Sequence, residues 1–376
     1  MKNQGVEFPM SDVEEKRDKK SPGASELLSR GLEMVSLGKM PESIPFFDEA
    51  IKADPEYGEA YNCKGLVLME LGKLEEAFEC FEYATRISPD NSKFWYSKSL
   101  LFRKLDMSED ESQACLNAIR LNPRHIQAWR GRAQALARTG ELTESISCLE
   151  KALEVEPFNE ELWYLKGSYE LILGESHAAL RSFNKAIEIN PDSARSWRGK
   201  AEAMAIIGDF EESYRCYDRS IRIDPGMAES YYGKGRVLVR EGKYEDAIDI
   251  FGRAIEMFPE FVEAWFYRGW AFDRIGNVSK ALENYDAAIE LAPDSELVWY
   301  TKGVLLAKLE KYPEAIDCFD KAIDIFPRHA GAWYRKGLIL SILGNNDEAA
   351  QCINKAIDID PEIYEMIKDG LENISA

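Results

Sequence analysis

Ten prolines at one constant spacing constrain this chain more than any other feature. They are Pro55, Pro89, Pro123, Pro157, Pro191, Pro225, Pro259, Pro293, Pro327 and Pro361, each 34 residues from the next, with no insertion or deletion between them. A period of this length marks a repeat array, in which each unit buries its apolar face only against its neighbours. With the proline set as position 32, the units span 24–57, 58–91, 92–125, 126–159, 160–193, 194–227, 228–261, 262–295, 296–329 and 330–363.

Other residues lock to the same frame. Position 4 is aromatic in nine units, as in Trp95, Trp163, Tyr231 and Trp299, with Leu27 in the first. Position 8 is small throughout, and position 27 is Ala or Ser in every unit. Apolar residues at positions 4, 8, 11 and 14 make one helical face, and those at 20, 21, 24, 27, 28 and 30 make another. Gly at position 15, found in eight units, suits the left-handed conformation that ends a helix. Pro at position 32 stops the second helix. The spacing predicts an antiparallel helix pair per unit, near positions 2–14 and 18–30.

This pattern resembles the tetratricopeptide repeat family, through the aromatic at position 4, the small residues at 8, 20 and 27, the aromatic near 24 and the proline at 32. The resemblance implies an all-α fold, a right-handed α-solenoid superhelix of ten antiparallel helix pairs with a concave groove. The string Trp163-Tyr164-Leu165-Lys166-Gly167 is similar to uniform arrays of methanogenic archaea. Two departures stand out. The third unit has Glu111 at position 20 and Asp106 at position 15, so its second helix is expected to pack less tightly. Pro45 is expected to bend or delay the second helix of the first unit.

Outside the array, residues 1–23 carry ten charges, five of each sign, and read as disordered. Residues 364–376 place Tyr364, Ile367, Leu371 and Ile374 on one helical face, the pattern of a capping helix. The N-terminal stretch lacks the apolar run of a signal peptide, and no apolar run approaches a membrane span, so the cytoplasm is the expected compartment.

The residues supply no catalytic constellation. Five of seven cysteines, Cys80, Cys148, Cys216, Cys318 and Cys352, share position 23 in different repeats and cannot converge on one ion; buried packing is the expectation. His125 and His329 share position 34, and His177 opens a second helix. No nucleophile–base pair, metal spacing or phosphate loop involves them. Neither enzymatic activity nor a cofactor is expected. Position 7 is basic in all ten units, from Arg30 to Lys336. The reading adopted is structural: the stem packs and the charge reaches a carboxylate, with Asp48, Glu82, Glu150, Asp218, Asp286 and Asp320 at position 25 as candidates.

The resemblance implies that positions 2, 5, 9, 12 and 13 line the groove. There the chain places eleven cations against seven acids, on a protein of net charge −20. The cations include Arg103, Lys104, Arg130, Arg138, Arg198, Arg236, Arg240, Arg274 and Lys308. Position 5 adds Tyr96, Tyr164, Tyr232, Phe266 and Tyr300, and Trp270 stands at position 9. Arginine beside aromatics is the composition of binding hot spots. Phe266, Trp270 and Arg274 share one helical face, flanked by Tyr232, Arg236 and Arg240 one repeat back and by Tyr300 and Lys308 one repeat forward. The expected function is a protein-interaction scaffold whose basic, aromatic groove holds an extended acidic or amphipathic peptide. Positions 6 and 9 contain no Asn, so the dicarboxylate clamp of chaperone-binding members is not expected. Single-stranded RNA is the alternative ligand, disfavoured by the net negative charge. Self-association through the ends is a third.

Overall fold

The computed structural model describes residues 22–362. Among the described residues there are twenty α-helices and no strand. They alternate as first and second helices of the repeats. Repeats 1 to 5 contribute α1 (Pro22–Ser36), α2 (Met40–Ala53), α3 (Gly58–Glu70), α4 (Leu74–Ile87), α5 (Ser92–Lys104), α6 (Ser108–Leu121), α7 (Ile126–Arg138), α8 (Leu142–Val155), α9 (Glu160–Ile172) and α10 (Ser176–Ile189). Repeats 6 to 10 contribute α11 (Ala194–Ile207), α12 (Phe210–Ile223), α13 (Ala228–Arg240), α14 (Tyr244–Met257), α15 (Val262–Arg274), α16 (Val278–Leu291), α17 (Glu296–Lys308), α18 (Tyr312–Ile325), α19 (Ala330–Ile342) and α20 (Asn346–Ile359). Second helices therefore run over positions 17–30, and most first helices over positions 1–13. The chain divides into two compact units, residues 1–203 and 204–376.

The repeat residues act as the spacing predicts. Position 15 has positive φ in all ten repeats, including the two that lack glycine, Asp106 at 57° and Glu310 at 60°. The small residue at position 8 receives the ring at position 24: a Cβ on Gly65 would lie 2.8 Å from the Phe81 ring. Two repeats without that glycine also lack the ring, with Ser99 and Ala133 in repeats whose position 24 is Cys115 or Leu149. Phe47, Phe81, Phe183, Phe251, Tyr285 and Phe319, all at position 24, are fully or almost fully buried and form the centre of their own helix pairs. The seven cysteines are free and buried.

Three expectations change. Pro22 and Gly23 belong to α1, where proline at a first helical position costs no hydrogen bond; residues 1–21 and the 364–376 capping segment lie outside the described residues. Pro45 lies inside α2, yet that helix spans the same positions as every other second helix, so its start is not delayed. Glu111 does not loosen α6: its side chain is fully buried beside Ala114, Cys115 and Ala118, for a reason given below.

Candidate binding face

The tryptophans at position 4 sit at the seam between repeats, half-buried and not enclosed as core residues. Their polar edge explains this. Each indole N–H donates to the carbonyl of the proline that ends the preceding repeat: Trp95 to Pro89 at 2.9 Å, Trp163 to Pro157 at 2.8 Å, Trp333 to Pro327 at 3.0 Å. The cation at position 7, one turn further on, lies over the same ring, as Lys166 does over Trp163 at 5.5 Å and Arg268 over Trp265 at 4.5 Å. That cation then reaches the position-25 carboxylate of the previous repeat. Lys64 meets Asp48 at 2.7 Å, Lys166 meets Glu150 at 2.9 Å and Lys234 meets Asp218 at 2.6 Å; Lys98, Lys302 and Lys336 do the same with Glu82, Asp286 and Asp320. Where position 25 of the previous repeat is Leu116 or Gly252, the cation is arginine. Arg132 turns to Glu144 at 4.0 Å and Arg268 to the Asn284 amide oxygen at 2.6 Å.

In the N-terminal unit, the expected groove cations are engaged within the fold. Glu111 from α6 accepts from Arg103 Nε at 2.7 Å and from the Arg138 guanidinium, bridging α5 and α7; Arg138 Nε also donates to Ser108 Oγ at 3.0 Å. Arg130 Nη1 donates to Glu161 at 2.6 Å. Lys104 Nζ donates to the Met69 carbonyl at 2.8 Å, with Glu70 at 3.7 Å. Arg198 lies 3.9 Å from Glu202 and donates to the Tyr164 hydroxyl at 3.4 Å. Arg103 and Arg138 border an open hollow of about 600 Å³ with Gln134, Tyr169 and Ile172. The sequence places Glu161 among the groove acids and Glu111 off pattern at position 20, but does not show their pairing: both neutralise arginines of the expected groove.

The same unit shows how the position-5 tyrosines are used. The Tyr96 ring packs against His125, tilted, with centroids 4.8 Å apart, and burial raises the pKa of its hydroxyl above the ordinary value. His125 caps α7, its Nδ1 accepting from Ala128 N at 3.4 Å; burial, then the nearby Lys93 charge, lowers its pKa. Tyr164 carries Arg195 over its ring at 4.7 Å. Arg195 also donates to Glu160 at 2.6 Å. Burial alone would raise the Glu160 pKa, but hydrogen bonds from Arg195, Ser196 and Ser193 outweigh it and hold the carboxyl below its usual range.

The C-terminal unit repeats the ring contacts, but among its expected groove cations only Lys308 meets an acid. Tyr232 packs against Phe261 at 4.9 Å and Tyr300 against His329 at 4.5 Å, both tilted; Arg335 Nε donates to the Tyr300 hydroxyl at 2.9 Å. Lys308 pairs with Asp273 at 3.3 Å. Phe266 is buried against Tyr267 and Tyr285, so it is core and leaves the candidate face; its ring, without a hydroxyl to solvate, turns in where Tyr232 and Tyr300 are only half-buried. Trp270 is half-buried, edge-to-face with Tyr244 at 5.8 Å and with Arg274 over its ring at 5.4 Å. Arg236 lies over Tyr232 at 5.7 Å and Tyr267 at 6.0 Å. Arg240 lies over Phe210 at 5.2 Å and donates to the Ala205 carbonyl at 2.9 Å. Arg236, Arg240 and Arg274 are exposed, and none of them has a carboxylate partner among the described residues.

Sequence comparison settles the kind of array that carries this face. Tetratricopeptide repeat models match residues 164–228, 232–296 and 300–362, with further matches at 58–91 and 126–169. The chain belongs to the tetratricopeptide repeat family. No curated protein matches it. Among solved structures, this tetratricopeptide array is similar to the Cut9 complex with Hcn1 of the APC/C, at 15% identity over 92% of this chain and 83% of that one, TM-score 0.52. It is similar to yeast Tom70 at 17% identity, covering 92% of this chain and 93% of that one, TM-score 0.50. YrrB, described as a TPR protein with an unusual peptide-binding site, is 28% identical over 50% of this chain and 97% of its own, TM-score 0.42. The first two likenesses support the fold. No helix of the described residues is long and apolar enough to cross a membrane.

Proposed function

We propose that this tetratricopeptide protein is a binding scaffold, not an enzyme, and that it holds an extended acidic or amphipathic peptide against the first helices of repeats 7 and 8. The observation that carries this reading is the contrast between the two units. Arg103, Arg130 and Arg138 spend their charge on Glu111 and Glu161. Arg236, Arg240 and Arg274 are exposed, lie on aromatic rings and pair with no acid. A guanidinium held against an aromatic ring can still turn N–H groups to an incoming oxyanion, at reduced entropy cost; Arg240 spends one of its N–H groups on the Ala205 carbonyl. Trp270 beside them supplies apolar area of the kind that anchors interfaces. Tyr232 contributes through its hold on Arg236. Tyr96, Tyr164 and Tyr300 serve chiefly to stack the repeats.

Partners captured from the native host with the intact chain, compared with an Arg236→Gln/Arg274→Gln variant, test the reading. Loss of an acidic partner from the variant alone is the expected outcome. Retention of every partner by the variant, or loss only on mutating Arg103 and Arg138, places binding elsewhere. Single-stranded RNA shifted at moderate salt with the same arginine dependence replaces the peptide by a nucleic acid. Light scattering of the pure chain tests self-association.

A further inference from the structure

The arrangement around Trp270 points to more than a general taste for acids. Arg236, on α13, leans forward onto Tyr267 of α15 at 6.0 Å. Arg274, at the end of α15, leans back onto Tyr244 of α14 at 5.4 Å and covers Trp270 at 5.4 Å. Tyr267, Trp270 and Arg274 follow one another by three and four residues, so they share one face of α15. Arg236 thus lies against Tyr267 and Arg274 against Trp270, on one face of α15. Arg240 leans the other way, onto Phe210 and the Ala205 carbonyl. The acids nearest in sequence are occupied: Glu241 accepts from the Tyr214 hydroxyl and from Lys243 at 3.1 Å, and Asp273 pairs with Lys308 at 3.3 Å.

We infer that Arg236 and Arg274 form a subsite for a phosphoryl group carried on a side chain of the bound peptide. This rests on the peptide-binding reading above and sharpens it. Two guanidiniums with no counter-charge present a fixed local charge of two. A carboxylate neutralises half of it, whereas a phosphate monoester, carrying about −1.5 to −2 at neutral pH with three acceptor oxygens, matches it and accepts from both planar forks. Each fork lies against two aromatic rings, which limits the freedom lost on binding. The Trp270 ring beside Arg274 offers a surface for the methylene or methyl of the modified residue. The arginine pairs of the N-terminal unit lack this capacity, because Glu111 occupies the equivalent role for Arg103 and Arg138.

The test is fluorescence anisotropy of the full chain with three labelled peptide pools, degenerate except for a central phosphoserine, glutamate or serine. The phosphoserine pool is expected to bind about tenfold or more tighter than the glutamate pool. Arg236→Gln or Arg274→Gln is expected to erase that difference, and Arg138→Gln to leave it. Lowering the pH from about 7.5 to about 5.5 is expected to weaken the phosphoserine pool selectively, because the second phosphate ionisation lies near 6. Equal binding of the phosphoserine and glutamate pools overturns this inference and leaves the acidic-peptide reading standing. No binding by any pool, with circular dichroism unchanged, overturns both. A single-stranded oligouridylate that binds more tightly than the phosphoserine pool, with the same arginine dependence, assigns the phosphate to nucleic acid and also overturns the inference.

Discussion

The indole N–H of Trp299 donates to the main-chain carbonyl of Pro293, 3.0 Å away, and Lys302 lies over the same ring at 5.8 Å. The proline that stops one repeat thus supplies the acceptor that seats the next, and the basic residue one turn on covers the tryptophan while pairing with Asp286 of the previous repeat. Four repeat positions, 32, 4, 7 and 25, thus form one joint.

Removing only the joint's hydrogen bond measures it. Trp299→Phe keeps an aromatic ring at the seam and leaves the Pro293 carbonyl to solvent or nothing. The expected cost is about 1 kcal/mol, read as a lowered denaturant midpoint. An unchanged midpoint means that the ring area alone holds the joint.

Glu111 is expected to be more costly to remove. Its carboxylate is fully buried between two partly exposed arginines. Glu111→Ala leaves both guanidiniums without their acceptor; because each reaches solvent, the expected cost is about 1–3 kcal/mol, below that of stranding a fully buried charge. Hydrogen exchange should show the loss first in α6. Arg103→Met and Arg138→Leu, added to Glu111→Ala, should recover much of it. A triple variant no better than the single one refutes the charge-stranding account.

Much of this architecture was legible in the sequence because a strict period multiplies every weak local signal by ten. Helix pairs, the glycine turn at position 15, the buried cysteines and the lysine-to-carboxylate pairing all follow from residues that recur in one frame. What was not legible breaks the frame. Glu111 reads alone as a packing defect, and only the approach of Arg103 and Arg138 from two other helices makes it a bridge. Arg130 reads as a groove cation, yet Glu161 of the next repeat neutralises it. Phe266 shares its repeat position with half-buried tyrosines, and only the lack of a hydroxyl separates it from them. Side-chain partners that occur once, outside the repeat frame, carry no periodic signature.

The left-handed residue at position 15 of repeat 9 offers a stabilising change. Glu310 holds φ at 60°, a conformation that costs an L-residue about 1–2 kcal/mol. Glycine removes that strain while adding unfolded-state entropy of roughly 0.5–1 kcal/mol. Glu310→Gly is therefore expected to raise stability by up to about 1 kcal/mol, seen as a higher thermal midpoint. A lower midpoint shows that the Glu310 side chain contributes more than its backbone costs.

His125 ties stability to pH. Burial lowers its pKa from the ordinary 6.5, so the unfolded chain binds the proton more readily than the folded one. The cap's contribution is full above 6.5 and is lost as the pH falls through the depressed folded value. Protonation also removes the Nδ1 acceptor from Ala128 N. His125→Asn keeps an acceptor that does not titrate. The wild type should lose stability relative to this variant as the pH drops from about 7.5 to about 5. Parallel curves over that range dismiss the coupling.

Trp270 and Phe319 separate binding from folding. Phe319 is fully buried at the centre of repeat 9, and Phe319→Ala is expected to cost about 3–5 kcal/mol of stability. Trp270 touches only Tyr244 edge-on and the Arg274 guanidinium among ring and charge contacts, so Trp270→Ala should cost about 1 kcal/mol of stability. Its effect on the captured peptide should be larger, about 2 kcal/mol, because it removes the apolar surface beside the unpaired Arg274. Melting curves and binding isotherms on both variants give the four numbers. If Trp270→Ala melts as far down as Phe319→Ala, the ring is structural and the proposed site has no apolar anchor. If it melts like the wild type and binds as tightly, the peptide runs past repeats 7 and 8 without using them.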